Sequence, residues 1–231
     1  MKINTPFFVF NPKSYMFGEE LLKLAKKADK LAEKYPHLSI FVTCPFAEIP
    51  TIASNTNHII VTAQHIDGIK QGRGMGHVLP ESIHAAGARA SFLNHAERTL
   101  TLAQVTQSVK RAKELGIKTI LCADSIEEAR ALATLSPDII LCEPTELIGT
   151  GKTSDERYIE KTNQAISQMD ENILIMQAAG VSNAQDVYRT LSMGAHGTGC
   201  TSGITEATSP IDMLTDMIEA ANKVYQEKEG K

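Results

Sequence analysis

A closed barrel of eight parallel strands alternating with helices, the (β/α)8 architecture, is the α/β fold this sequence predicts, and three observations carry it. Eight short apolar runs rich in β-branched residues recur along the 231-residue chain. Near-continuous apolar strands signal burial on both faces, as in a parallel sheet, and the segments between them repeat apolar residues at helical spacing. The length suits eight right-handed βαβ units in a closed barrel, whereas a doubly wound open sheet needs another place for the eighth strand.

The elements follow in order. "FFVFN" (7–11) reads as the first strand, and Leu21, Leu22, Leu24, Ala25, Ala28, Leu31 and Ala32 line one face of the helix after it. "SIFVTC" (39–44), "IIVTAQ" (59–64) and "ASFLN" (90–94) are the next three strands. Val105, Val109, Ala112 and Leu115 mark a helix that Gly116 stops. "TILCAD" (119–124), "DIILCE" (138–143), "NILIMQ" (172–177) and the weaker "GTGC" (197–200) complete the set. Met213, Leu214, Met217, Ile218 and Ala221 form a stripe that packs a last helix on the barrel, and the tail "QEKEGK" is expected to fray. With no Pro/Gly/Ser-rich linker, residues 1–231 read as one domain.

A net charge of −4 without a long basic run argues against nucleic acid as a partner. No apolar run approaches bilayer length and the first residues lack a signal-peptide core, so a soluble, cytoplasmic protein with no membrane partner is expected. The four cysteines are widely spaced, without zinc-ligand spacing, and read as reduced, buried thiols.

Barrels of this kind place reacting groups at the C-terminal ends of their strands. Asn11 and Lys13 follow the first strand, Gln64 and His65 the third, Asn94, His95 and Glu97 the fourth, and Glu143 the sixth, so all converge on one face. Charges at the mouth of an apolar barrel are costly unless they are used. Glycine-bearing loops follow strands six to eight: "ELIGTGKTS", long enough to act as a lid, "QAAGVS" with Gly180, and "GCTSGIT" with Thr201 and Ser202. Together they suit an anion gripped by backbone N–H groups.

From "NPKSY" through "AQHID", "GHVLPE", "LNHAER" and "EPTELIGTG" to "AAGVS" and "TSGIT", the chain resembles the triosephosphate isomerase family, in its short, archaeal-like branch. That family is itself the standard illustration of a histidine electrophile kept neutral by a helix N-terminus. The resemblance implies interconversion of dihydroxyacetone phosphate and glyceraldehyde 3-phosphate through an enediolate, with no metal or organic cofactor, in glycolysis and gluconeogenesis. It makes Glu143 the base, His95 the electrophile at the head of a short helix "HAERTLT", and Lys13 the positive charge, with Asn11 nearby and Glu97 as a supporting carboxylate. Ile148 and Gly149 in the lid, Gly180, Thr201 and Ser202 are expected to meet the phosphate. A homodimer or homotetramer is also implied.

The sequence departs from the family pattern at Met75, where a threonine usually docks into a neighbouring subunit, at Ala96, at Ala178 in a glycine place, and in strand eight. Ala178 is awkward if its position needs positive φ, and Gly199 with Cys200 leaves space beneath the phosphate. Two alternatives therefore stay open: the same chemistry on a longer phosphoketose such as a tetrulose phosphate, or a phosphate-binding barrel without turnover.

Overall fold

The structure, a computed structural model, describes residues 1–143 and 156–230. Strands β1 (Phe7–Phe10), β2 (Ser39–Cys44), β3 (Ile60–Ala63), β4 (Ala90–Leu93), β5 (Lys118–Ala123), β6 (Ile139–Cys142), β7 (Leu174–Met176) and β8 (Gly197–Cys200) close into a barrel in sequence order. All pairs are parallel, and closure is made by Phe7↔Gly197 through Phe10↔Cys200. Helices α1 (Gly18–Lys34), α2 (Ile49–Ser54), α3 (Pro80–Ala85), α4 (Leu102–Leu115), α5 (Ile126–Ala133), α6 (Glu156–Ser167), α7 (Ala184–Ser192), α8 (Ser202–Thr205) and α9 (Pro210–Glu229) follow the strands, α8 and α9 both after β8. Each strand falls on its apolar run to within a residue or two at either end, β5 starting one residue early at Lys118; β7 is shortened most at its start, where Asn172 is turned back onto Asp170.

Alternation along each strand sends one set of side chains inward and the other against the helices. The inner set includes Phe7, Val9, Phe41, Phe92, Leu141 and Met176, with the Phe7 and Phe41 rings edge-to-face at 5.6 Å. Strand β8 looks weak in sequence because its inward positions are glycines that make room for large neighbours. A Cβ on Gly197 would lie 2.1 Å from the Phe7 ring. Gly197→Val is accordingly expected to destabilise the barrel by about 1–3 kcal/mol through overpacking, read from urea unfolding, with part of the loss recovered when Phe7 is shortened to Leu.

Gly116 ends α4 in the left-handed conformation, φ 71°, as its position in the sequence predicts. The short helix expected at "HAERTLT" is absent. Residues 95–98 form a turn, Arg98 N donating to His95 O at 2.7 Å, and the helix begins only at Leu102. A capping box fixes that start: Thr101 Oγ1 accepts from Gln104 N, and the Gln104 side chain accepts from Thr101 N. The tail is the second correction. Helix α9 continues to Glu229, held by the Tyr188–Glu227 hydrogen bond at 2.8 Å and by residues that favour helix. Its Leu214, Met217, Ile218 and Ala221 are buried, as the stripe predicts.

Candidate active site

Lys13 is placed by its backbone. The chain leaves β1 with Asn11 N donating to Cys200 O at 3.1 Å, which ties the first loop to the end of β8. Lys13 then adopts φ 48°, a conformation that side-chain-bearing residues rarely take. It is held there from both sides: its N–H donates to Asn11 Oδ1 at 3.0 Å and its carbonyl accepts from Gln64 Nε2 at 2.7 Å. Strained backbone persists where neighbours over-determine it. The ammonium that results lies 2.6 Å from Glu97 Oε1. Because the Glu97 side chain is 63% exposed, this pair fixes a position more than it stabilises the fold.

The turn after β4 is built on Asn94, φ 59°. Its Oδ1 accepts from Leu100 N at 2.9 Å, and its Nδ2 donates to Cys122 O and Glu128 Oε1 at 3.1 and 2.9 Å, so it braces the loop rather than capping a helix. Within the turn, Glu97 N donates to His95 Nδ1 at 3.1 Å. A backbone N–H can be nothing but a donor, so Nδ1 is the acceptor and the ring proton sits on Nε2. Burial pushes the His95 pKa down, the Lys13 ammonium pushes it further, and Glu97 opposes both. Neutrality at His95 thus comes from burial and a nearby cation; the expected helix terminus is absent, since the helix starts at Leu102.

Glu143 follows β6, its N–H donating to Ala123 O at 3.0 Å. Burial raises its pKa, with Lys13 lowering it and Glu97 raising it. Asn11, Lys13, His95, Glu97 and Glu143 line one cavity of about 320 Å³ together with Gly180, Thr201 and Ser202. The sequence-predicted residues therefore meet, apart from Ile148 and Gly149, which lie outside the described residues. Gly180 takes φ 68°, and loops seven and eight press so closely that a Cβ on Gly203 would stand 2.4 Å from Ser182 O. Glycine is required there to bring the α8 N-terminus and the Gly180 loop to the same opening.

Two expectations about strained or empty space change. Among the described residues, the non-glycine positions with positive φ are Lys13, Asn94 and Ser136, so Ala178 sits in the cavity wall without backbone strain. The space expected beside Gly199 is filled: a Cβ there would meet the Met176 methyl at 2.7 Å and Val9 O at 2.6 Å.

His65 lies outside the wall of this cavity but lines an adjoining hollow that shares Asn11, Lys13, His95 and Glu97 with it. It is buried against Asp67, Nε2 to Oδ1 3.1 Å, and borders this second hollow, of about 250 Å³, with Phe46, Gln64 and Arg98. Residues that sequence reading missed are Tyr15, Ser182 and Met176, all on the wall of the first cavity. Ser182 had a usable signal in its place two residues after Gly180; its hydroxyl donates to Asp186 Oδ2 at 2.9 Å. Among the described residues, no group of three or more His, Cys, Asp or Glu side chains is arranged to hold a metal ion, and no helix is long and apolar enough to cross a membrane. All four cysteines are free and buried; burial pushes the Cys200 thiol up to about 11.

Comparison with known proteins matches most of the chain to one family. The family model for triosephosphate isomerase matches residues 6–221. The triosephosphate isomerase of Sulfurisphaera tokodaii is 34% identical over 227 residues, 96% of this chain and 98% of the relative. The one from Methanobacterium bryantii is 36% identical over 219 residues, 93% and 96%, and that of Methanocaldococcus jannaschii 35% identical over 216 residues, 91% and 98%. With a closed eight-stranded barrel, a strand-end cavity and matches of this extent, the chain belongs to the triosephosphate isomerase family.

Proposed function

We propose that this protein interconverts dihydroxyacetone phosphate and glyceraldehyde 3-phosphate, with Glu143, His95 and Lys13 as its catalytic groups. The observation that carries the reading is the meeting of a half-buried carboxylate of raised pKa, an imidazole protonated on Nε2 and an ammonium around one small cavity. Glu143, ionised, takes a proton from the carbon bearing the hydroxyl; the C–H electrons move into the new C=C bond and the carbonyl oxygen becomes enediolate oxygen. His95 donates its Nε2 hydrogen bond to that developing charge, and Lys13 stabilises it electrostatically. The proton on the hydroxyl oxygen passes to the former carbonyl oxygen, with His95 Nε2 as the carrier between the two. Glu143 returns its proton to the adjacent carbon as the former hydroxyl oxygen becomes the new carbonyl, so protons and electrons balance. Asn11 and Glu97 hold Lys13 in register, while main-chain groups of Ile148, Gly149, Gly180, Thr201 and Ser202 meet the phosphate.

The raised carboxylate and the depressed imidazole set the pH dependence. The rate falls as acid protonates Glu143 through its raised pKa, while His95 remains neutral near pH 7. A coupled assay of the purified protein in both directions tests the reading, and absence of turnover on either triose phosphate defeats it. His95→Gln is expected to lower kcat by roughly 10²–10³-fold, as for loss of one oriented donor to an oxyanion, with a small effect on KM.

The reading extends to a cytoplasmic homodimer or homotetramer. Its support is the loop between β3 and α3, which exposes Met75 fully at its tip while its base is braced. Asp67 accepts from Val78 N at 2.6 Å, and Arg111 holds Ile69 O, Glu81 and Glu114. A loop braced at its base with an apolar tip suits the second hollow of another copy. Met75→Arg should shift the sedimentation profile toward monomer.

A further inference from the structure

We infer that Met176 sets the length of substrate the cavity admits, acting as the specificity-determining residue of the isomerase reaction; the inference rests on the function proposed above. The barrel side of the cavity is apolar, formed by Val9, Phe92, Leu141 and Met176 beside the bare backbone of Gly199. Strand β8 cannot supply a side chain of its own there, because a Cβ at Gly199 would stand 2.6 Å from the Val9 carbonyl oxygen, an atom fixed in the β1–β8 ladder. Met176 reaches over from β7 instead, and its terminal methyl lies 2.7 Å from where that Cβ would be. The part of the floor beside Gly199 is thus closed by one unbranched side chain borrowed from the neighbouring strand.

Substrate length is read against two fixed ends. The carbonyl end is held by His95 and Lys13, and the phosphate end by the loops after β7 and β8. A phosphoketose longer by one CHOH unit has to bulge between these anchors, and on the barrel side it runs into the Met176 thioether. Truncation to alanine removes Cγ, Sδ and Cε, more than the carbon and oxygen of the added unit. Methionine is the most adaptable of the apolar side chains, so it fills this irregular gap without strain.

The test is the ratio of kcat/KM for a tetrulose phosphate to kcat/KM for dihydroxyacetone phosphate in wild type, Met176→Leu, Met176→Val and Met176→Ala. The ratio should stay near the wild-type value in the leucine variant, which conserves volume, and rise by on the order of 10-fold or more in the alanine variant, with valine between. An unchanged ratio in folded alanine and valine variants overturns the inference. Calorimetric titration of the wild type keeps the question open to decision if the small variants do not fold. Phosphoglycolate should bind at least about 10-fold more tightly than 3-phosphoglycerate, which is longer by one CHOH unit, and equal affinities also overturn it. Failure of the isomerase reading is distinct: the wild type would then turn over neither ketose phosphate, while the binding ratio would still report on the floor.

Discussion

Glu143→Gln is expected to lower kcat by about 10²–10⁴-fold, the usual worth of a positioned general base, while KM changes by a small factor. The amide has the size and shape of the carboxyl group, so the half-buried site and the strand end that carries it, anchored by the Glu143 N–H to Ala123 O, are preserved. What disappears is the lone pair that can accept a carbon-bound proton. Burial makes the native carboxylate a stronger base than an exposed one, because the charged form gains less from solvent. Glu143→Asp separates basicity from position: the charge remains but is drawn back along the side chain, and roughly 10²-fold of the rate is expected to go with it. Single-turnover measurement of proton exchange between substrate and solvent checks both variants. Near-native exchange in the glutamine variant would assign the base to another residue. The neighbouring carboxylate, Glu97, is committed to Lys13 at 2.6 Å.

Lys13→Met should cost on the order of 10³-fold in kcat/KM, since it removes the cation facing both the enediolate and the phosphate dianion. It carries a second signature that a merely structural loss would not give. The ammonium holds down the pKa of Glu143 and of His95, so its removal lets both rise. The acid limb of the residual rate then moves to higher pH, because the base is protonated earlier as acid is added. A variant whose rate falls with the acid limb unmoved would place the effect of Lys13 elsewhere. Lys13→Arg restores charge but not geometry: the planar guanidinium cannot reproduce a point charge seated on Glu97, and partial recovery is expected.

The fold was legible in the sequence because parallel strands buried on both faces leave a period-free apolar run that loops punctuate, and all eight runs became strands. The lining of the cavity was legible where a charged or polar residue follows within three residues of a strand end, as with Lys13, His95 and Glu143. What stayed hidden depends on distant neighbours. The turn at His95 was expected to open a helix because the family resemblance implies one, yet the Thr101–Gln104 capping box and the Asn94 brace settle the boundary later. Met176 read as one more core residue in "NILIMQ"; its place in the cavity follows from Gly199 on another strand. Gly199 in turn read as free space, and nothing local says which side chain fills it.

The seam where the barrel closes has a consequence for descent. Residue 7 is bulky because residue 197 has no side chain, and each choice is tolerable only in the company of the other. Lineages related to this chain are therefore expected to exchange the two positions as a pair, a smaller first partner appearing wherever the second has grown, although 190 positions of primary structure separate them. Mutational histories that alter one alone should pass through poorly folding ancestors.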